Sequence, residues 1–400
     1  GRHRKVPPFS FGRVLKHDRQ NQISKIFTKL HHSEPFNAER LPVESTGQRE
    51  RHDWIDFVKA ISILLVVLLH QLQALDKTEL IHAPSVAVWV EVNDFLTPVR
   101  MPLFFLASGI LASSSLKRGR SRAFRDNIYS RAYLYCVWAA IFALAMPFVP
   151  GWPLILPPTD KGVLMLLLVL TGTSLAWYLW ALPVAFYVGW ATRNVTPRKL
   201  IAASFLLSAL PLEHSFSGHL MRCLLFFLAG LRIPDFVAKI ESLANARRLV
   251  LSVLAFAVLS FARPEIKVYI RPFVELAGVS CAVFCCVILG RASSAVASAA
   301  RWLGRRTLQI YLLHFPIVNL LALAIPQLLT NRLMDERAFA SVFPLMAVAI
   351  AVAASLLTHT LLKAMGASWL FALPDWMGSR TLQRDTRSRL AAPPSQISSL

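Results

Sequence analysis

Charged residues are scarce in this chain. Asp, Glu, Lys and Arg make up 16% of its 400 residues and apolar residues 55%, whereas a soluble domain is about a quarter charged. That balance excludes an ordinary soluble fold and places the chain in lipid. Acidic residues are the scarcer sign, 22 against 43 Lys and Arg, for a formal charge of +21. Such an excess suits nucleic acid only when it gathers on one water-facing surface. Here Lys and Arg fall in short clusters between apolar runs, the pattern that orients a membrane protein, so no nucleic-acid partner is expected. Cysteine is sparse as well. Cys136, Cys223, Cys281, Cys285 and Cys286 lie inside apolar runs without paired loop spacing, which implies no disulfide framework and leaves packing as their expected role. The chain has no glycine-rich phosphate loop of either common type and no H-E-x-x-H or Cys-x-x-Cys spacing. No metal is therefore expected.

What is present is a series of apolar runs near the roughly 20 residues that cross a bilayer core. They lie near 54–75, 90–115, 128–148, 170–192, 199–213, 218–234, 248–262, 268–290, 307–329 and 340–366. The expected fold is all-α, a polytopic transmembrane bundle of about ten spans. Two spans look short, and Gly162 to Leu170 reads as a possible separate half-helix. With the N-terminus inside, the four inner loops hold sixteen Lys and Arg and the five outer loops seven. Cytoplasmic loops carry such an excess, so both termini are expected in the cytoplasm and the chain in the cell inner membrane. Residues 1–52 form a basic cytoplasmic tail, expected to be disordered and able to rest on anionic membrane lipid. Residues 53–368 form the transmembrane domain, and 369–400 a second polar cytoplasmic tail.

Ionisable groups at membrane depth are costly, so each one inside a span is a candidate for function. The first span carries Asp56, Lys59 and His70. Lys59 and His70, 11 residues apart, share a helical face about 16 Å apart along the axis. Asp56 is one turn from Lys59 and can pair with it; an interfacial ion pair or a snorkelling lysine is the plain alternative. His70 has no such plain reading. In the second span, Pro98 and Pro102 are expected to interrupt the helix beside Arg100, which suits a cavity wall; an arginine reaching the outer interface is the alternative. Ser108 and Gly109 read as close-packing residues, and the Trp177 and Trp180 pair as an interfacial belt. Arg222 lies near enough to the outer end to snorkel, and Tyr311 and His314 share a face one turn apart. Together these groups could line one polar cavity.

At these residues the sequence resembles the integral-membrane acyltransferase type 3 family, and within it the fucose 4-O-acetyltransferase-like branch that includes nodulation-factor acetyltransferases. The marks are Asp56, Lys59 and His70 in the first helix; Met101-Pro-Leu-Phe-Phe with Ser108-Gly109; Trp177-Tyr-Leu; and Leu303-Gly followed by Ile310-Tyr-Leu-Leu-His-Phe-Pro316. The resemblance implies transfer of an acetyl or related acyl group from cytoplasmic acyl-CoA to a sugar hydroxyl of a glycan or glycolipid, such as fucose of a lipo-chitooligosaccharide. It makes His70 the catalytic base. The family often has Arg where Lys59 stands; lysine keeps the charge but loses the bidentate fork. Physical chemistry agrees with that reaction. A neutral imidazole, His70 or else His314, can take the proton of an attacking hydroxyl. Arg100 or Tyr311 can stabilise the oxyanion. Lys59, supported by Asp56, and the Arg305-Arg306 pair lie where the CoA phosphates of acetyl-CoA would arrive. Trp177, Tyr178 and Arg222 are expected to contact the acceptor. The competing class is a multi-pass transporter or flippase for a polar or lipid-linked substrate, since polar groups on broken spans also mark transport pathways. A non-catalytic scaffold is a third class and would have no use for His70.

Overall fold

The computed structural model describes Gly1 and residues 53–76, 84–145, 176–210, 216–292, 294–328 and 337–374. The basic tail, the Gly162–Leu170 segment and nearly all of the second tail lie outside the described residues. Among the described residues the regular structure is entirely helical. Its α-helices are α1 (Asp53–Asp76), α2 (Pro84–Phe95), α3 (Thr97–Leu116), α4 (Arg120–Phe124), α5 (Ser130–Ala145), α6 (Trp177–Ala191) and α7 (Pro197–Ser208). They continue as α8 (Phe216–Arg232), α9 (Phe236–Leu243), α10 (Ala246–Ser260), α11 (Pro264–Ala292), α12 (Ser294–Gly304), α13 (Thr307–Leu328) and α14 (Arg337–Ala364). A π turn, Arg125–Tyr129, joins α4 to α5.

Each of the ten expected spans overlaps a helix among the described residues. Six stretches among the described residues are long and apolar enough to cross a bilayer, and a seventh is the pair α9 and α10, bent by 94° at a short break. Within the described residues α6, α7 and α8 have 15, 12 and 17 residues.

The second expected span differs in part from its reading. The helix is interrupted at Leu96, between α2 and α3, two residues before Pro98, and continues through Pro102. Pro98 sits in the first turn of α3, where an N–H would lack a helical partner anyway. Pro102 follows four residues later inside the helix, so its missing N–H leaves the Pro98 carbonyl without a helical donor, and α3 continues to Leu116.

Close backbone contacts set the centre of the bundle. α3 crosses α8 at glycines on both sides: a Cβ at Gly109 would collide with the Phe227 carbonyl, and one at Gly230 would lie 2.6 Å from the Leu106 carbonyl oxygen. Small residues let membrane helices approach in this way, so the close-packing expectation holds for Gly109. At one end of α1, Gly304 of α12 presses on the backbone of Asp56, and Asp53 is ion-paired with Arg301. α1 is surrounded by α3, α11, α12, α13 and α14, which puts the helix bearing His70 in the middle of the molecule.

Candidate active site

His70 and His314 meet in the core. Their ring centroids are 5.3 Å apart, and His70 also sits edge-on to Phe315 at 5.3 Å. The two come from α1 and α13, 244 residues apart, and α1 packs directly on α13. Each imidazole has its Nδ1 occupied. In His314, Nδ1 lies 3.0 Å from the Ile310 carbonyl and 2.8 Å from that of Tyr311. A carbonyl only accepts, so His314 carries its proton on Nδ1 and presents a lone pair on Nε2. That Nε2 is buried with no partner among the described residues. In His70, Nδ1 faces the Gln73 amide oxygen at 3.0 Å, which by the same rule leaves its Nε2 unprotonated.

A line of rings continues from this pair. Tyr311 is 6.0 Å from His314 by ring centroids and 5.4 Å from Tyr178 of α6, and the Tyr311 hydroxyl bonds to the Tyr178 backbone. Tyr178 is fully enclosed between Phe104 and Phe105, and its hydroxyl is 2.6 Å from Ser108 Oγ. Trp177 stacks on Phe105 at 6.0 Å and meets His219 at 5.1 Å. Two readings change here. Trp177 faces the interior, with no role in an interfacial belt, because Phe105 and His219 offer it an aromatic slot. Ser108 is a polar contact to Tyr178 as well as a close-packing residue.

The arginines are buried. Arg100 is 4% exposed, and its Nη2 donates to the Asn93 side-chain oxygen at 2.5 Å and to the Asn93 carbonyl at 3.1 Å. Its Nε has no partner among the described residues, and it lies within electrostatic reach of His70. It therefore does not reach out to an interface. Arg222, 2% exposed, does not snorkel either: its Nε is 3.1 Å from Glu275 Oε1 of α11. Arg271 lies 3.5 Å from the same oxygen, and His219 is within reach of Arg100, Arg222 and Arg271. An isolated buried charge is expensive, and Arg222, on α8 with His219, is paired with Glu275.

The remaining expected site residues gather elsewhere. Lys59 Nζ is 3.0 Å from Asp56 Oδ1, and Gly304 against Asp56 brings the Arg305-Arg306 turn to this end of α1. The Arg306 guanidinium lies over Trp302, 4.3 Å from the ring centroid. Asp56, Lys59, Arg305 and Arg306 thus form one group, and His70, Arg100, Trp177, Tyr178, Tyr311 and His314 another, joined by the face of α1 that carries Lys59 and His70. Sequence reasoning passed over Asn93, Gln73, His219 and Glu275. Glu275 was findable, since a carboxylate inside the 268–290 run is the same signal that marked Arg222.

The arrangement is a pair of neutral imidazoles, His314 buried and His70 half-buried, in an apolar helical bundle with cations at one end of α1. The chain belongs to the acyltransferase type 3 family: the family's acyltransferase domain matches residues 52–359, more than three quarters of the chain. It is a multi-pass membrane acyltransferase. No curated protein and no solved structure matches it.

Proposed function

We propose that the protein transfers an acetyl or related short acyl group from acyl-CoA to a sugar hydroxyl of a glycan or glycolipid. The fucose-type acceptor of the resembled branch is the first candidate. The observation that carries this reading is the His70–His314 pair, two imidazoles whose Nδ1 atoms are engaged and whose Nε2 atoms are left unprotonated. A thioester already activates its acyl carbon, so the chemistry needed is proton removal from a weak nucleophile. The acceptor O–H gives its proton to His70 Nε2 as its oxygen bonds to the acyl carbon. The carbonyl electrons return as the C–S bond breaks, and the CoA sulfur leaves and takes up a proton. Arg100 and Tyr311 are the cationic and hydroxyl donors placed to meet the oxyanion that forms between these steps. His314 supports the dyad and is the alternative base.

The donor arrives at the end of α1 that carries Lys59, Arg305 and Arg306, whose cations suit the CoA phosphates; the loop charge bias makes that end cytoplasmic. About three helical turns separate Lys59 from His70, a span that extended pantetheine can bridge. Trp177 and Tyr178 line the acceptor side, with Arg222 held behind them.

The test is transfer from labelled acetyl-CoA by purified, detergent-solubilised protein to a panel of glycosides, read by mass spectrometry of the acceptors. Labelled O-acetyl sugar is expected. Absence of transfer, together with substrate movement across reconstituted vesicles, would replace this reading with a transporter.

A further inference from the structure

Next to His70 stands an amide that finds no hydrogen-bond partner among the described residues. Gln71 is fully buried, and among the described residues neither its Oε1 nor its Nε2 has a hydrogen-bond partner. Glutamine is a poor choice for such a place on packing grounds. Its neighbours one turn away on the same face of α1, Val67 and Leu75, are fully buried and apolar, and belong to the core cluster that also holds Tyr178 and Tyr311. Leucine there would fill the same space without leaving a donor and an acceptor desolvated. A polar group kept at that disadvantage is one whose partners come with a ligand. Two more buried atoms at this level share its condition, His314 Nε2 and Arg100 Nε. The core around His70 therefore offers two acceptors and two kinds of donor that the described residues leave unsatisfied.

We infer that Gln71 positions the acyl acceptor, by pairing its amide with two neighbouring hydroxyls of a sugar. This rests on the transfer reaction proposed above. An amide offers an acceptor oxygen and a donor nitrogen side by side, and a vicinal diol offers the complement: one hydroxyl donates to Oε1 while the next accepts from Nε2. The position along α1 selects the acceptor over the donor. Gln71 is about 18 Å along the axis from Lys59, at the level of the base and well away from the cation cluster where CoA arrives. A sugar held there by one pair of oxygens brings the adjacent hydroxyl to His70 Nε2. Gln71 is thus a positioning and specificity residue: it favours acceptors with a hydroxyl beside the acylated one and rejects those without it.

The experiment compares wild type with Gln71→Leu, using labelled acetyl-CoA and methyl hexosides led by methyl α-fucoside, each paired with its analogue deoxygenated beside the acylated carbon. Two neutral hydrogen bonds at about fivefold each give a roughly thirtyfold rise in acceptor KM, with acetyl-CoA KM unchanged. The wild type should lose severalfold on the deoxy acceptor, and Gln71→Leu should lose nothing further, since the two changes remove one interaction. Thermal stability of Gln71→Leu in detergent should equal or exceed that of wild type, because a desolvated amide has been replaced by a hydrocarbon. Transfer by Gln71→Leu with unchanged acceptor KM overturns the inference and leaves the reaction standing. A lower thermal midpoint also overturns it, by making Gln71 structural. Failure of the wild type on the whole panel overturns the proposed reaction and, with it, this role for Gln71.

Discussion

Removing the Glu275 carboxylate should unlock α8 from α11. Glu275 and Arg222 are each 3% exposed and 3.1 Å apart, and Arg271 at 3.5 Å shares the same oxygen. At an effective dielectric of about 20, attraction at that separation is on the order of 5 kcal/mol. Desolvation of both charges offsets much of it in the intact protein. The single variant Glu275→Ala loses the attraction but keeps the buried guanidinium, so it should be destabilised by about 3–5 kcal/mol. Replacing both partners removes the buried charge, and Arg222→Met combined with Glu275→Met should be more stable than Glu275→Ala. Unfolding by SDS titration in mixed micelles measures both. Because α8 also carries His219, next to Trp177, the single variant should lose acyl transfer as it loses stability. The reasoning is refuted if Glu275→Ala unfolds within 1 kcal/mol of wild type, or if the double variant is less stable than the single one.

Two further expectations follow from contacts at either end of the site. Gly109→Ala places a methyl group into the Phe227 carbonyl, backbone that cannot give way without parting α3 from α8; a loss of about 1–3 kcal/mol, as for overpacking of a core, should appear in the same titration, and wild-type stability would show that the crossing is loose. Lys59→Ala should raise the KM for acyl-CoA more than that for the sugar, because its ammonium lies at the donor end; steady-state kinetics varying each substrate in turn decide it, and a change confined to the sugar KM would remove Lys59 from donor binding.

The helical, membrane-crossing character of the chain and most of its polar site residues were legible because both rest on local signals. Apolar runs mark helices, and a charge inside such a run stands out. What the sequence hid was pairing between helices. Nothing in the spacing of His70 and His314 says that residues 244 apart put their rings 5.3 Å from each other, and nothing in Arg222 names Glu275 as the partner that keeps it inside. Direction of approach was hidden too: Trp177 has the composition of an interfacial belt residue and packs inward because Phe105 and His219 receive it. The proline reading caught the interruption, which falls at Leu96 just before Pro98, but not that Pro102 stays inside a continuing helix. Gln71 gave no signal in the sequence; its burial, with no partner for the amide among the described residues, is what marks it.

The central claim is that an imidazole of the His70–His314 pair, His70 first, takes the proton of the acceptor hydroxyl. Its most direct test is acetyl transfer by purified His70→Ala, measured with acetyl-CoA binding and thermal stability on the same preparation. If His70 is the base, kcat falls by about 10² to 10⁴, while the protein stays folded and binds acetyl-CoA as before. Near-normal turnover by well-folded His70→Ala would contradict the assignment and transfer it to His314, a buried residue whose Nε2 has no partner among the described residues.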